Sequence, residues 1–325
     1  MSHAVGRPRV RRLIRALEYP LDLLRFLALT KRSDLVLHFQ WASVPTLDVW
    51  AWRYLKRAGH PLIYTAHNVL PHGAQQPSRA FQDLYAIPHR VIVHTPLMAQ
   101  ELRARFPSTS SRIRVIPCGT LFDDVPEMPR DAARSALGLR PDSRIALFWG
   151  LIEPYKGLEC MIRAFSQVAR RVRDARLLIV GKPNVPVAPY RALIEHLDLS
   201  GRVDTRFEFV PTEQAPKYFG AADVVVLPYL EASQSGVLLT AYRFGRAVIV
   251  TKTGGLPDTV EPNRNGLIVP PGDEDALADA MTETLSDPKK IAEMGERSRQ
   301  LGAERFNWRD IARDTIAVYR EIRKE

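Results

Sequence analysis

Cysteine is nearly absent from this chain. Only Cys118 and Cys160 occur among 325 residues, and their spacing matches no metal motif. A disulfide framework is therefore excluded, one bridge is weakly supported, and a reducing compartment is the simpler setting. Long apolar runs are missing as well: no uninterrupted stretch reaches membrane-spanning length. No short-period repeat is present, which excludes solenoid and propeller arrays. No nucleic-acid-binding motif stands out either. A further absence is local. Nothing from Ala232 to Tyr242 carries a charge, although this stretch, ASQSGVLLTAY, joins a polar loop to a helix start and so resembles an anion cradle.

What is present is an ordinary globular composition, 46% apolar and 25% charged. The length suits two domains, each with its own core. The net charge of +10 reflects either an Arg-rich proteome or anionic partners, whether nucleotides, phospholipid headgroups or, least favoured, nucleic acid. The N-terminus, RPRVRRLIRALEYPLDLLRFLAL, is basic and then amphipathic. It is no signal peptide, because Glu18, Asp22 and Arg25 interrupt its apolar part and no small-residue cleavage site follows. Two readings stay open for it: a helix packed on the protein's own core, or a helix lying on an anionic membrane through Arg7, Arg9, Arg11, Arg12 and Arg15. Pro20 is expected to break or kink it, or to start a second helix.

Beyond this segment the chain alternates. Apolar, β-branched runs at 35–39, 61–67, 90–95 and 112–117 are separated by helix-period stretches at 47–59 and 97–106. A polar, proline-bearing stretch at 120–131 follows and reads as a domain linker, with a short helix after it. Strand-like runs then recur at 144–150, 175–181, 206–210, 223–229, 246–251 and 265–270, again with helices between them. This predicts two doubly wound α/β domains in tandem, with ligands beyond the C-terminal ends of the strands.

Candidate chemistry lies at those ends. His67, in TAHN after the run PLIY, can hydrogen-bond a hydroxylated ligand or relay a proton, although a lone histidine is more often structural. In GLIEPYKG, Gly150 and Gly157 bracket a tight loop whose Lys156 can stabilise a departing phosphate; the plain alternative is a solvated lysine. Ser233, Gln234 and Ser235 offer neutral donors, Gly236 allows close approach, and the helix start at Gly236 and Val237 offers free amides. The plain alternative there is an ordinary N-cap, worth about 1 kcal/mol. Gly254, Gly255 and the Asn265–Gly266 pair are turn signals. VIPCG at 115–119 has no role by itself.

As an ordered set, KG, the LPY loop with GVLL, AVIVT, GGLPDTV and NGLIVPPGD resemble the donor-binding half of the GT4-type (group 1) retaining glycosyltransferases. HFQW, TAHNVLPH, VHT and VIPCG fit the other half, so the resemblance covers residues 35–325. It implies a GT-B fold, two facing Rossmann-like α/β domains with parallel sheets. The acceptor side would be residues 1–125, joined by the last helix (307–325), and the nucleotide-sugar side residues 126–306. It implies that Lys156 contacts the donor diphosphate, that His67 lies near the transferred sugar, and that Ser235, Gly236 and Val237 meet sugar and phosphates through their backbone. No metal or cofactor is expected.

The chain departs from the family at Leu151, where an arginine is common. It departs again at Ala232 and Thr240, where two glutamates are common; Glu231 is one residue out of register. Thr240 would hydrogen-bond the ribose singly. No strand with a glycine-rich loop precedes RVRRLIRALEYPLDLL, so the first domain is expected to lack a βαβ unit; either translation starts upstream or part of the cleft is lost. The resemblance implies a glycosyltransferase taking a UDP- or GDP-sugar to a glycan or lipid-linked acceptor, in surface polysaccharide or glycolipid assembly at the cytoplasmic face of the membrane. The alternatives are a catalytically weak nucleotide- or glycan-binding homologue assisting a partner transferase, and an epimerase or phosphorylase on the same scaffold. No pair of acid/base carboxylates or Schiff-base lysine supports the last.

Overall fold

The structure is a computed structural model that describes residues 8–30, 35–70 and 76–323, with side chains from residue 18 onward. It divides into two units. One comprises Met1–His94, Ala99–Ile116 and Asp314–Glu325; the other comprises Thr95–Met98 and Pro117–Arg313.

The first unit opens with α1 (Pro8–Leu29), which runs unbroken across Pro20. The expected break is absent because tertiary contacts hold the helix where the ladder loses a bond. The Tyr19 hydroxyl donates to Asp48, and Phe26 packs edge-on to Phe39 with ring centroids 6.0 Å apart. Leu21, Leu24 and Leu29 stay exposed. The side chains of Arg7, Arg9, Arg11, Arg12 and Arg15 lie outside the described residues.

Four parallel strands follow, β1 (Leu37–Phe39), β2 (Leu62–Ala66), β3 (Arg90–Val93) and β4 (Ile113–Val115), side by side in chain order. Every residue of β2 and β3 is buried, as expected of parallel strands covered on both faces. The connecting helices are α2 (Pro45–Arg57), α3 (Arg79–Ala86) and α4 (Pro96–Arg105). The core is aromatic. Trp52 of α2 lies 4.7 Å from Phe39 and 5.1 Å from Tyr64, and Tyr85 of α3 lies 4.5 Å from Phe106.

The second unit holds a six-stranded parallel sheet in the order β10-β9-β8-β5-β6-β7. Its strands are β5 (Arg144–Trp149), β6 (Ala175–Val180), β7 (Val203–Arg206), β8 (Val224–Leu227), β9 (Ala247–Thr251) and β10 (Gly266–Val269). One face packs on α6 (Leu158–Arg171), α7 (Ala188–His196) and α11 (Glu274–Ser286). The other packs on α5 (Arg130–Ala136), α8 (Ala215–Ala221), α9 (Gly236–Arg243) and α12 (Pro288–Arg305). A short α10 (Leu256–Thr259) and the long α13 (Trp308–Ile322) complete the chain, and α13 returns to the first unit from Asp314 onward.

Three expectations are corrected. The division falls at Ile116/Pro117, and the polar stretch 120–131 belongs to the second unit. Ion pairs tie it there: Glu127 accepts from Arg243 and from Arg299, each at 2.6 Å. The strand read at 206–210 lies instead at Val203–Arg206, and Phe209 is 71% exposed. α5 is anchored by a buried charge pair, Arg134 to Asp223 at 2.9 Å, with Asp223 also accepting from the Ile145 amide at 2.7 Å.

Candidate functional site

The strand order of the second unit reverses between β5 and β8, and at such a switch point two loops diverge and leave a crevice. The loops here are 150–157 and 228–235, the two stretches singled out in the sequence.

Glycine makes their approach possible. Gly157 has φ 68°, and a Cβ there would stand 1.9 Å from the Pro228 carbonyl oxygen. The Leu230 amide donates to the Tyr155 carbonyl at 2.7 Å, locking one loop to the other. Lys156 ends a 3₁₀ turn over Pro154–Lys156 and is folded inward, 9% exposed. Its Nζ lies 5.1 Å from the centroid of the Tyr229 ring, and 3.2 Å from where a Cβ on Gly150 would stand. It is therefore no solvated loop lysine. Among the described residues no carboxylate pairs with it, and burial pushes its ammonium below the ordinary lysine range. A nearby anion would reverse that shift.

The start of α9 lies in the same crevice: a Cβ on Gly150 would also stand 3.4 Å from Val237 Cγ2. Ser235 precedes the helix in extended backbone, and its side chain makes no capping hydrogen bond. Its hydroxyl is instead 3.5 Å from that of Tyr229. The N-cap alternative thus fails, and the amides of Gly236, Val237 and Leu238 keep their outward donors. Ser233 and Gln234 are half-buried with no side-chain hydrogen bond among the described residues. The glycine pair behind them is a brace. Gly254 has φ 50°, a Cβ on it would stand 1.5 Å from the Ala232 carbonyl oxygen, and the Gly255 amide donates to Ser233 at 3.0 Å. Leu151 is 45% exposed. Thr240 is not brought to the loop in the same way: it is 1% exposed, and its hydroxyl donates to the Gly236 carbonyl at 2.7 Å.

His67 belongs to the first unit, just beyond β2, and there it is not a lone histidine. His38 sits in β1 and His94 just beyond β3. His67 Nδ1 lies 3.1 Å from His94 Nε2, and His67 Nε2 lies 3.2 Å from the Gln40 amide. Trp41, 63% exposed, stacks on the His67 ring at 4.3 Å and 12°. Burial lowers all three imidazoles, His38 and His67 to about 4. These partners are missed in the sequence, although a histidine in or just after each of three consecutive strands is a readable signal. Tyr229 is missed too, buried beneath Lys156 with its phenol pushed by burial up to about 12. Among the described residues no three His, Cys, Asp or Glu side chains are grouped to hold a metal.

Two family models match the chain in succession, glycosyltransferase family 4 over residues 2–120 and glycosyl transferases group 1 over residues 143–287. The D-inositol 3-phosphate glycosyltransferase of Nocardia farcinica is 31% identical over 303 residues, 88% of this chain and 66% of that one. That of Segniliparus rotundus is 28% identical over 304 residues, with 89% and 66% covered. The chain spans about two thirds of the length of these relatives. Among solved structures, sucrose-phosphate synthase from Thermosynechococcus elongatus superposes with a TM-score of 0.77 at 27% identity, covering 93% of this chain and 77% of that one. Anabaena HepE, solved with UDP, gives 0.80 at 20% identity, with 92% and 82% covered. The two parallel α/β sheets, the ordered loop motifs and the two successive matches agree: the chain belongs to the group 1, family 4 glycosyltransferases of GT-B fold.

Proposed function

We propose that this protein transfers a glycosyl group from a nucleotide sugar, a UDP- or GDP-sugar, to a hydroxyl of a glycan or lipid-linked acceptor, with retention of configuration and without a metal. The observation that carries this is Lys156: a buried ammonium with no carboxylate partner among the described residues, beside an uncapped helix start at a topological switch point. Such a site is completed by a diphosphate. Anabaena HepE was solved with UDP and with UDP-glucose, which supports a nucleotide-sugar donor.

The work divides unequally. An ammonium and a phosphate oxygen about 4 Å apart attract by about 4 kcal/mol at an effective dielectric near 20. A helix start contributes about 1 kcal/mol. Lys156 is thus the main stabiliser of charge growing on the leaving diphosphate, and the amides of Gly236 and Val237 assist. The diphosphate helps to deprotonate the acceptor hydroxyl on the same face of the sugar. His67 meets the sugar's hydroxyls. Gly150, Gly157, Ser233, Gln234 and Ser235 shape the donor pocket, and Thr240 has a remaining lone pair that can accept from a ribose hydroxyl.

The test is a screen of UDP- and GDP-sugars for nucleoside diphosphate release, run on the wild type and on Lys156→Ala. Turnover in the wild type and a fall of about a hundredfold in kcat in the variant are expected. Equal turnover in both would remove the diphosphate from this loop. Exposed, apolar Leu151 at the arginine position favours a second reading, a nucleotide-binding homologue that assists a partner transferase. Binding of UDP with no turnover of any donor would select it.

We further propose peripheral binding at the inner face of the plasma membrane through α1, whose Leu21, Leu24 and Leu29 are exposed. No described helix is long and apolar enough to cross a membrane. The protein should float with anionic liposomes in low salt and less so in high salt. Binding that survives replacement of Arg7, Arg9, Arg11, Arg12 and Arg15 by Gln would assign the anchor elsewhere.

A further inference from the structure

The histidines of the first unit form a chain whose direction can be worked out. Its end is fixed. His94 Nδ1 lies 3.0 Å from the Ile116 carbonyl oxygen, and a carbonyl oxygen only accepts, so His94 Nδ1 carries a proton. If His94 is neutral, its Nε2 is a lone pair. His67 Nδ1, at 3.1 Å, must then donate to it. If His67 is neutral as well, its Nε2 is a lone pair, and the group it meets at 3.2 Å must be a donor.

That group is the terminal amide of Gln40, which stands with its oxygen toward His67 Nε2 and its nitrogen toward His38 Nε2; the two atoms exchange places on a half-turn about its last bond. With oxygen toward His67, one of the two rings must be an imidazolium. Either His67 donates from both nitrogens, or His94 does. With nitrogen toward His67, both rings are neutral and every contact pairs a donor with an acceptor. The oxygen then faces His38 Nε2, 3.3 Å from the amide, which must carry a proton; Thr65 Oγ1, at 2.7 Å, accepts from the same nitrogen. His38 Nδ1 is then the acceptor for the Tyr319 hydroxyl at 2.6 Å.

Burial decides between the two arrangements, because it disfavours the imidazolium at all three rings. The titratable groups acting on His67 are His94 and His38, and both disfavour a charge there. We propose that Tyr319, His38, Gln40 and His94 are positioning residues in one directional hydrogen-bond chain that holds His67 as its neutral Nδ1–H tautomer, with Gln40 as a removable cap on Nε2. Gln40 is exposed and His67 is not, so a ligand reaches Nε2 by displacing the amide. The uncapped nitrogen is a pure acceptor. It suits a sugar or polyol hydroxyl and repels a phosphate or carboxylate, and it cannot serve as a proton donor. Identifying that hydroxyl with a sugar rests on the transferase reading; the tautomer does not.

The test therefore uses the full-length protein without substrate. Long-range proton–nitrogen correlation spectra of histidine-labelled protein at pH 7.5 report which ring nitrogen is protonated, and His67→Gln and His94→Gln assign the signals. His67 and His94 should be Nδ1–H and His38 Nε2–H. Gln40→Glu replaces the donor with a group that only accepts. The His67 titration midpoint should then rise by about one to three pH units. An Nε2–H tautomer at His67 in the wild type, or a midpoint unmoved in Gln40→Glu, overturns the proposal. Neither readout depends on transferase activity.

Discussion

Buried charge in this protein meets two fates. Arg134 is fully buried, but Asp223 answers it at 2.9 Å. Partly exposed Glu321 is answered too: hydrogen bonds from Arg90 and Arg114 lower its carboxylate to about 2. Among the described residues Lys156 is unanswered, which is why it reads as a site and the others as structure. A structural charge pair loses stability when one partner is cut. An unanswered charge does the reverse, since its desolvation is a cost the fold already carries. Lys156→Met should therefore melt no lower than the wild type, while its affinity for UDP falls at least tenfold, about 1.4 kcal/mol. Thermal melts with and without UDP measure both. A lower melting point together with unchanged UDP stabilisation would mark Lys156 as part of the core. The lysine was legible in the sequence because glycines bracket it. Tyr229 and Gln40 were not, because a hydrogen-bond or ring partner is chosen by the fold and leaves no spacing to read.

Among the elements, the buried strands were the most legible, since apolar runs of β-branched residues have few other uses. The edge strand β7 was not. It pairs through its backbone while only Val203 of its four residues is buried, so VDTR lacks the apolar signature that the neighbouring RFEFV displays. The eight-residue α3 is too short to show a period, and α1 crosses Pro20 because Tyr19 and Phe26 pin it on either side. The 228–235 loop depends on an element behind it. Gly254→Ala would drive a Cβ into the Ala232 backbone, which cannot yield without moving the loop. Gly245→Ala is the control: its φ of 58° is similarly strained, but its new Cβ would meet the flexible end of Arg299 at 2.8 Å. Both variants should lose about 1 kcal/mol or more of stability. Only Gly254→Ala should also lose about tenfold in UDP affinity by calorimetry. Equal UDP affinity in the two variants would show that the glycine pair does not brace the donor loop.

At the scale of the molecule, the second unit is nearly continuous in sequence and carries two core clusters, one on each face of its sheet. A fragment spanning 117–313 should fold by itself, with a cooperative melt and UDP binding. A fragment of residues 1–116 should not reach the same state, because the first unit draws on residues from Asp314 onward. Val318 and Ile322 are buried, Tyr319 meets His38, and Glu321 binds Arg90. A non-cooperative 117–313 fragment would show that the division is one of geometry alone.

This sharing of α13 also sets a timetable at the ribosome. The strands of the first unit cannot complete it until the residues from Asp314 onward have been made, and roughly two hundred residues intervene. At about 5–20 residues per second, His38, Arg90 and Arg114 wait roughly 10–60 s for Tyr319 and Glu321. During that interval the nascent chain presents an unfinished parallel sheet while the later unit is already folding beside it. Premature termination anywhere before residue 314 leaves this sheet permanently open, so truncated products are natural clients for chaperones and proteases.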